Sequence, residues 1–480
     1  MYVLSNSEMK EAERTAIDDK GIPSLILMEN AARGAAEVIL EQKPENVIVF
    51  AGKGNNGGDG LAIARILITN NVNTKIVFIG EIEKATPDCK KNLDILEAYN
   101  ANIVYNTEGI NINDYDLAVD ALIGTGLSRK LNDKYCDLAG LINKCKFVVA
   151  IDCPTGVNSD TGNDYGIAVN ANITVTFHLP KIGLLLYPAF SHIGRLVVKN
   201  IGAPYIGSYN TFVIDNPKEL MPKRYANSNK GTYGKVLFVS GCDTMAGAAV
   251  INGTSAYKAG CGLVNICSTS HVIGIIHNTL PEAVTTKRED INVNYGNVTA
   301  IGSGLGISDE SRKLVEYVLK NAKVPVVADA DALNIIAENE ALKNHTSVIT
   351  PHIKEMSRLT GFEVSYIKEN LIDTAGNYAK KYNTVVVLKD SHSIIASPDG
   401  RVCINLTGTS AMSKGGSGDS LTGVITSLIA QGIDIFDAAC LGAYINGKAG
   451  EIAETESSSY SVLALDISKA IPKAINEILK

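Results

Sequence analysis

The feature that most constrains this chain is an alternation of short apolar runs with amphipathic segments, which occurs twice along the sequence. Several of the runs are apolar on both faces, as expected for strands of a parallel sheet that helices cover on both sides. Two helices are predicted first, over residues 7–17 and 26–40. The strands predicted after them are residues 47–50, 75–79, 117–122, 147–151, 173–177 and 195–198. The pattern predicts an α/β fold built from βαβ units.

The length of the chain indicates two domains. It has 480 residues, whereas a single hydrophobic core stops growing at roughly 250–300 residues. The second alternation begins at Lys235, and the stretch before it, residues 202–231, is rich in Pro, Asn and Gly. Such a stretch is typical of a linker. We therefore predict one domain over residues 1–215, with a Rossmann-like parallel sheet, and another over residues 222–480.

Composition excludes several classes of partner. The net charge of −7 argues against nucleic acid, because phosphate backbones select basic surfaces. No apolar run approaches the roughly 18 residues that span a bilayer, and the first residues lack the pattern of a secretory signal. Nine cysteines are scattered without a CxxC pair, which fits a reducing cytoplasm. We expect a cytoplasmic homo-oligomer that acts on small molecules, without nucleic-acid or membrane partners.

A glycine-rich segment follows the first predicted strand. The sequence GKGNNGGDG occupies residues 52–60, and a helix is predicted over residues 61–69. A strand, a glycine-rich loop and a helix N-terminus together form an anion cradle, because free backbone N–H groups and the helix dipole face the ligand. A tight turn without a ligand is the alternative, but the glycine density exceeds what a turn requires. Asn55, Asn56 and Asp59 add polar side chains to the cradle.

Two further predicted strands end in polar loops. Asp120 is followed by the Gly-Thr-Gly of residues 124–126, and Asp152 is followed by Cys-Pro-Thr-Gly. In an open parallel sheet, loops at the carboxyl ends of strands converge on one crevice. Each Asp could instead cap a following helix. Three such loops in one domain favour a shared site.

Together with Thr-Phe-His-Leu-Pro-Lys-Ile-Gly at residues 176–183, these motifs resemble the YjeF N-terminal family, the NAD(P)HX epimerases. The resemblance covers about residues 1–215. It implies that Asp152 is catalytic and that Asn56, Asp120 and Thr155 hold a potassium ion; many relatives have Ser in place of Thr155. The nucleotide-binding residues that it implies are Asn55, Asn56, Gly57, Gly58, Asp59, Gly124, Thr125, Gly126, Leu127, Ser128, Arg129, Lys130 and Asp152.

The second half has its own glycine-rich motif, Gly-Gly-Ser-Gly-Asp, at residues 415–419. An apolar stripe at helical spacing begins just past Asp419, so these glycines are predicted at a helix N-terminus and aimed at phosphate. A carboxylate there can take a proton from an attacking hydroxyl. The alternative, that Asp419 only caps the helix, does not require the preceding glycines.

This motif resembles the anion hole and base of ribokinase-like enzymes. With AIGSGLG at 300–306, ADADALN at 328–334, TPHIKEM at 350–356 and VLKDSHS at 387–393, residues 225–480 are similar to the ADP-dependent NAD(P)HX dehydratases. The resemblance makes Asp419 the catalytic base and Glu355 a candidate magnesium ligand. It implies ADP contacts at Lys389, Asp390, Ser391, His392, Ser393, Gly416 and Gly418, and substrate contacts at Ala248, Gly302, Gly304, His352 and Asp419.

Two departures from that family bear on the shape of the pocket. Ile353 and Lys354 stand where relatives have Pro-Gly, and Thr409 stands where relatives have Asn. His352 and Glu355 are present, so the chemistry is expected to persist. His352 by itself is as well explained as a structural histidine.

The two resemblances imply one bifunctional enzyme of nicotinamide-nucleotide repair. Its first domain would interconvert the R and S forms of NAD(P)HX, and its second would dehydrate the S form at the expense of ADP. Potassium, magnesium and ADP are the ligands implied. The alternative is a small-molecule kinase of the ribokinase type, with a first domain that only senses nucleotide or mediates assembly.

Overall fold

The computed structural model describes residues 1–127, 129–205 and 209–480. The chain divides into two compact units. The first comprises Tyr2–Thr211, and the second comprises Phe212–Lys480 together with Met1. Each unit is an α/β structure with its own sheet, which confirms the predicted fold class.

The first unit contains a seven-stranded sheet in the order β3-β2-β1-β4-β5-β6-β7, and every pairing in it is parallel. Its strands are β1 Asn46–Ala51, β2 Asn73–Phe78, β3 Asn102–Val104, β4 Leu117–Ala121, β5 Val148–Ile151, β6 Ile173–Phe177 and β7 Arg195–Lys199. Its α-helices are α1 Asn6–Arg14, α2 Ser24–Leu40, α3 Asn55–Thr69, α4 Pro87–Ala98 and α5 Asp133–Ile142. A π-helical turn, Thr15–Asp19, continues α1, and 3₁₀ turns lie at Ile82–Lys84, Ile112–Asp114, Ile182–Leu185 and Ala189–Ser191.

Length and burial together explain why one strand of this sheet escapes the sequence pattern. The central strands β4, β5 and β6 are buried at every position, so they read as continuous apolar runs. The edge strand β3 has only three residues, none fully buried. It was not predicted, because a short and half-exposed strand carries too little apolar signal.

The second unit contains a ten-stranded sheet in the order β11-β10-β9-β12-β13-β14-β15-β16-β17-β8. The pairings from β11 to β15 are parallel, whereas β16 pairs antiparallel with both of its neighbours. The strands are β8 Thr211–Phe212, β9 Lys235–Val239, β10 Leu263–Ser268, β11 Val284–Lys287, β12 Val298–Ile301, β13 Val326–Ala328, β14 Val348–Ile349, β15 Val385–Leu388, β16 Ser393–Ala396 and β17 Val402–Asn405.

Helices cover this second sheet and supply much of its core. The α-helices are α6 Ala246–Lys258, α7 Ser270–Thr279, α8 Asp309–Asn321, α9 Asp331–Ala337, α10 Ile353–Thr360, α11 Val364–Glu369, α12 Leu371–Tyr382, α13 Ser417–Ala430, α14 Ile435–Glu456 and α15 Ala464–Leu479. The 3₁₀ turns are Pro217–Leu220, Lys230–Tyr233, Arg288–Asp290, Glu340–His345 and Ser410–Met412. Helix α13 is buried along nearly its whole length; it holds the Gly-Gly-Ser-Gly-Asp motif against the sheet.

The second unit begins earlier than residue 222, the start expected from the sequence pattern. Phe212, Ile214, Leu220 and Met221 pack on its hydrophobic core, and the ring of Phe212 contacts that of Phe436 edge-on at 6.1 Å between centroids. The Pro- and Asn-rich segment therefore contributes apolar side chains to this core.

Both helices that follow a glycine-rich motif begin inside the motif. Helix α3 starts at Asn55 rather than at residue 61, and α13 starts at Ser417 rather than past Asp419. The reason in α3 is close packing. A Cβ on Gly57 would lie 1.7 Å from the Gly52 carbonyl oxygen, and one on Gly60 would lie 2.4 Å from the Ala121 Cβ. These glycines serve contact between elements as well as loop conformation.

Candidate active sites

The first candidate site lies where β1, β4 and β5 end. These strands are neighbours in the sheet, so the segments after Ala51, Ala121 and Ile151 meet at one edge, as the sequence predicts. Gly52 closes this edge, because its N–H donates to Ala121 O at 3.0 Å. A Cβ there would lie 2.2 Å from the Leu122 carbonyl oxygen, so no larger residue fits. The crevice therefore depends on backbone contact between two strand ends.

Asp120 and Thr155 are buried together at the base of this crevice. The Asp120 carboxylate accepts from the Thr155 hydroxyl and from the Thr155 N–H, each at 2.7 Å, and from Leu122 N at 3.3 Å. With its amide oriented to satisfy both partners, Asn56 donates to Ile151 O at 3.0 Å and accepts from Gly124 N at 3.2 Å. The three residues are thus tied to adjoining strand ends. Burial raises the pKa of Asp120 to about 6, although the bonds from Thr155 oppose the shift.

Asp152 is held by a lysine that the sequence reasoning did not single out. Lys181 is 0% exposed, and its Nζ donates to Asp152 Oδ1 at 2.5 Å, to Thr176 Oγ1 at 2.9 Å and to Phe177 O at 2.9 Å. The Asp152 side chain stays 16% exposed. Its backbone has a φ of +63°, a left-handed conformation that Asp tolerates better than most residues. The sequence feature that could have identified Lys181 is its place in the Leu-Pro-Lys motif, but its partner Asp152 lies 29 residues away.

Two more carboxyl groups belong to this electrostatic environment. The pKa of Asp59 is raised well above its usual value, first by burial and then by the charges of Asp152 and Glu13. The pKa of Glu13 is also raised, by burial and by Asp152. Glu13 was not predicted as a site residue, because it lies on the amphipathic helix α1, where a glutamate is ordinary. With Lys181 as the cation among these groups, Asp59 retains a proton at higher pH than a solvent-exposed aspartate does.

The loop after β4 is fixed by polar side chains from other parts of the unit. Thr125 O accepts from Asn6 Nδ2 at 3.1 Å and from Ser159 Oγ at 3.3 Å. Leu127 O accepts from Asn158 Nδ2 at 3.1 Å. These three side chains were missed, because each acts on backbone far away in sequence. Of the remaining predicted residues, Asn55, Arg129 and Lys130 are exposed and Ser128 lies outside the described residues.

The second candidate site is built on the first turn of α13. Gly416 precedes the helix with a φ of +96°, which favours glycine. Asp419 lies in the first turn, and Asn252 Nδ2 donates to its carbonyl oxygen at 2.8 Å. Burial first, and then the charge of Asp329, raise the pKa of Asp419 to about 7; a hydrogen bond from Ser303 and the charge of Lys389 oppose the shift. An aspartate with this pKa can exchange a proton near neutral pH.

The loop after β12 comes close to the start of α6. A Cβ on Gly304 would lie 2.7 Å from the Ala248 Cβ, and one on Gly302 would lie 1.9 Å from the Asp329 carbonyl oxygen. Both glycines have positive φ, +60° and +122°. Asn252 Nδ2 also donates to Ser303 Oγ at 3.3 Å. Through Asn252 and Ser303 this loop is connected to Asp419, as the sequence reasoning requires for a common pocket.

His352 and Glu355 form a capping box at the start of α10. His352 Nδ1 accepts from Glu355 N at 3.1 Å, and Glu355 Oε2 accepts from His352 N at 2.8 Å. Helix capping thus explains the hydrogen bond at His352 Nδ1. The Glu355 side chain is buried, which raises its pKa to about 7 against the opposing charge of Lys389. Burial also lowers the pKa of His352.

Lys389 links the strand ends of this sheet to the first turn of α13. Its backbone N donates to Pro351 O at 2.8 Å, and its Nζ forms an ion pair with Asp329 at 3.0 Å. A Cβ on Gly418 would lie 3.2 Å from that Nζ. Asp390, Ser391 and His392 follow between β15 and β16; Asp390 and Ser391 are exposed and His392 is buried. Asp329 was not predicted as a site residue, although it lies in the Ala-Asp-Ala-Asp motif.

A separate cavity of about 670 Å³ lies at the opposite edge of the second sheet, where β13 and β15 begin. Val326, Ser347, Val385 and Arg401 are among its lining residues. None of the predicted site residues line it, so we assign it no part in the chemistry.

Two family models match the chain. The model described as YjeF-related protein N-terminus matches residues 24–183, and the model described as NAD(P)H-hydrate dehydratase matches residues 236–473. The chain is 34% identical to the bifunctional NAD(P)H-hydrate repair enzyme Nnr of Moorella thermoacetica, over 100% of this chain and 97% of that protein. It is 30% identical to the enzyme of the same name from Escherichia coli K12, over 98% of this chain and 93% of that protein.

Solved structures are similar to part of the chain. The ADP/ATP-dependent NAD(P)H-hydrate dehydratase from Bacillus subtilis, co-crystallised with ATP and Mg²⁺, is 31% identical with a TM-score of 0.50, and the match covers 55% of this chain and 96% of that one. A ribokinase-like superfamily protein from Enterococcus faecalis is 22% identical with a TM-score of 0.52, covering 57% and 99%; this second likeness concerns the fold alone. Together they confirm the predicted ribokinase-like fold.

The glycine packing of the first site generates a prediction. Gly57→Ala should lower the free energy of unfolding by about 3 kcal/mol or more, because its Cβ would collide with backbone that cannot yield cheaply. Gly54→Ala is the matched control, since nothing lies within 4 Å of a Cβ there, and its effect should stay within about 1 kcal/mol. Urea unfolding of the intact chain measures both. Equal midpoints for the two variants would contradict the packing described above.

Proposed function

The chain belongs to the family of bifunctional NAD(P)H-hydrate repair enzymes, and from this premise we propose that its first unit carries the epimerase site and its second unit the dehydratase site. The enzyme interconverts the R and S forms of NAD(P)HX and dehydrates the S form to NAD(P)H, converting ADP to AMP and phosphate. NAD(P)HX carries a hydroxyl at C6, where water has added to the C5–C6 double bond of the nicotinamide ring. The observation that carries the division of labour is that each unit has its own glycine-rich helix N-terminus beside a carboxylate with a raised pKa.

In the dehydratase site, Asp419 is the proposed base. Its carboxylate takes the proton of the C6 hydroxyl as that oxygen forms a bond to the terminal phosphorus of ADP, and AMP leaves. The C6–O bond then breaks, phosphate departs, and loss of a proton from C5 restores the double bond. Phosphorylation turns hydroxide, a poor leaving group, into a good one. The N–H groups at the start of α13 and the ammonium of Lys389 stabilise the phosphate charge.

Glu355 is the proposed magnesium ligand. Its buried carboxylate is an oxygen ligand of the kind that Mg²⁺ prefers. Magnesium fits this position, because burial raises the pKa of Glu355 to about 7 and a nearby cation would favour the charged form of the carboxylate. Magnesium, when bound, neutralises charge on the phosphates. The Bacillus subtilis relative was co-crystallised with ATP and Mg²⁺, which supports use of a nucleotide with this metal.

In the epimerase site, Asp152 and Asp59 are the proposed pair of proton-transferring groups. Asp152 Oδ1 lies 2.5 Å from the Lys181 Nζ, whereas the raised pKa of Asp59 favours its protonated form. We therefore assign Asp59 as the proton donor and Asp152, which pairs with a lysine, as the proton acceptor. Asp59 can protonate the C6 hydroxyl as the C6–O bond breaks, with the ring nitrogen supplying the electron pair. Asp152 can then take a proton from the water that adds on the opposite face.

Asn56, Asp120 and Thr155 are the proposed potassium ligands. Asp120 is buried, and the partners described for its carboxylate are uncharged N–H and O–H groups of Thr155 and Leu122. A buried carboxylate without a cation is costly, and its pKa of about 6 reflects that cost. Hard oxygen ligands suit an alkali cation. A bound potassium would balance this charge and hold three strand ends together.

The proposed setting of the enzyme is the cytoplasm, as a homo-oligomer. The nine cysteines are free thiols, seven of them buried, which supports a reducing compartment. Over the residues described by the structure, no helix combines the length and apolarity needed to cross a membrane. Exposed apolar side chains on the first turn of α2, Leu25 and Ile26, support contact with another copy; sedimentation of the purified protein measures it.

The division of labour predicts the behaviour of a fragment. Residues 212–480 should fold alone and dehydrate S-NAD(P)HX, but leave the R form behind apart from slow spontaneous epimerisation. Residues 1–211 added as a separate chain should restore full recovery, because the hydrate diffuses between sites. The measurement is the amplitude of absorbance at 340 nm from a mixed-epimer stock. Complete, fast recovery by residues 212–480 alone would remove the epimerase role from the first unit.

A shorter fragment, residues 222–480, is the control for the boundary. It lacks Phe212, Ile214, Leu220 and Met221, which pack on the core. The four side chains are partly buried, so each contributes less than the roughly 1.5–3 kcal/mol of a fully buried one, and together their loss should lower the free energy of unfolding by about 3 kcal/mol.

The proposed base predicts both a loss of activity and a pH dependence. Asp419→Asn should fold normally and lose about 10²–10⁴ in turnover, because the amide keeps the shape without accepting the proton. In the parent enzyme, activity should rise as pH increases through about 7, because only deprotonated Asp419 is the base. Steady-state ADP-driven NADH formation measures both. A variant that retains most of its turnover would show that another group is the base.

The proposed potassium site predicts a change in ion response. Asp120→Asn should weaken the potassium activation of epimerisation by at least about tenfold, because the carboxylate is the only charged ligand proposed. Dehydration of purified S-NAD(P)HX by the same variant should be unchanged and serves as its internal control. Titration of the epimerase rate with KCl at constant ionic strength is the measurement, and an unaltered response would count against the site.

A further inference from the structure

Asp329 is a buried carboxylate at which four elements of the second unit meet. It follows β13 and is 1% exposed. Its Oδ1 accepts from Thr350 Oγ1 at 2.7 Å and from Lys389 Nζ at 3.0 Å, and its Oδ2 accepts from Thr422 Oγ1 at 2.9 Å. These partners follow β14, follow β15 and lie in α13, respectively. One side chain therefore connects three neighbouring strand ends to the helix that carries the anion hole.

The ion pair holds the Lys389 ammonium against the backbone of that helix. A Cβ on Gly418 would lie 3.2 Å from Lys389 Nζ and 3.8 Å from Asp329 Oδ2. Glycine at 418 thus leaves room for the ammonium beside the first turn of α13. Positive charge at a helix N-terminus is electrostatically unfavourable by itself, so the lysine needs the carboxylate to remain there while no phosphate is bound.

We propose that Asp329 is a positioning residue of the dehydratase site, which holds Lys389 charged and fixed at the N-terminus of α13 so that the ammonium meets the phosphate transferred from ADP. This inference rests on the proposed function of the second unit. We assign Asp329 no direct contact with the substrate, because it is 1% exposed and already accepts from Thr350, Lys389 and Thr422. Its contribution passes through Lys389, and through its charge to Asp419.

The charges around Lys389 and Asp419 determine the direction in which the pH profile is expected to move. Burial lowers the pKa of Lys389, but the charges of Asp329, Glu355 and Asp419 raise it, and the net shift is upward. Asp419 faces Asp329, Lys389 and Asp331, and Asp329 is among the causes that raise its pKa. Removing the charge of Asp329 therefore lowers the pKa of both Lys389 and Asp419. Both limbs of a bell-shaped pH profile, acid and alkaline, should move to lower pH.

The test is Asp329→Asn in the full-length enzyme, assayed for dehydration of S-NAD(P)HX with ADP between pH 5 and pH 10. We expect the KM for ADP to rise and kcat to fall, each by about tenfold or more, as for loss of a hydrogen bond to a charged group. We also expect the acid limb to shift downward, and an alkaline fall to begin at lower pH than in the parent enzyme, in which the pKa of Lys389 is raised above its usual 10.5. Thr422→Val is the matched control: it removes one hydrogen bond to the same carboxylate and keeps the charge, so its limbs should not move.

A double-mutant cycle separates action through Lys389 from a merely structural role. If Asp329 acts through that lysine, adding Asp329→Asn to Lys389→Met should change the KM for ADP much less than Asp329→Asn does alone. Additive effects, or limbs that stay in place, would overturn the proposal. If Asp329→Asn alone fails to fold, the double variant, which removes both charges of the ion pair, is compared with Lys389→Met. The proposal then predicts nearly equal KM values for ADP in these two variants. A parent enzyme inactive with ADP would overturn the proposed function instead.

Discussion

Because helices cover both faces of each sheet, polar side chains on the strands can reach a ligand only at the carboxyl ends of the strands. In the first unit β4, β5 and β6 are buried throughout, so Asp120 and Asp152 can act only where β4 and β5 end. In the second unit the same constraint places Asp329 and Lys389 past β13 and β15. The sites are thus products of parallel pairing, since only parallel strands bring all these ends to one edge.

Each unit contains a lysine–carboxylate ion pair in which one of the two members is buried. Lys181 pairs with Asp152 at 2.5 Å and Lys389 pairs with Asp329 at 3.0 Å. Burying a single charge is costly, whereas a well-bonded pair is tolerated. The two pairs differ in which member is exposed. In the first unit Asp152 is partly exposed and Lys181 is buried, whereas in the second unit Lys389 is partly exposed and Asp329 is buried. The exposed member is the one available to a ligand.

The sequence predicts the strands and the glycine-rich motifs well, because both depend on local pattern. Strand β3 escaped prediction because it is short and half-exposed. The starts of α3 and α13 were placed too late, since glycine reads as loop until its contacts are known. Lys181 and Asp329 were missed as site residues because their roles come from partners 29 and 60 residues away. His352 is the opposite case. Its partner Glu355 is only three residues away, but the capping box depends on where α10 begins, which the residue types alone do not indicate.

The first turns of α3 have a consequence for the order in which a nascent chain acquires function. Gly57, Gly58 and Gly60 each disfavour a helix by about 1 kcal/mol relative to alanine, so this segment is a poor helix in isolation. The contact of Gly57 with Gly52 is local, whereas the contact of Gly60 is with Ala121 on β4, 61 residues later in the chain. During synthesis, therefore, the packing of the glycine-rich segment against β4 cannot form as the segment itself leaves the ribosome. It must wait for β4, and a truncated product ending before that strand would have the motif without the site.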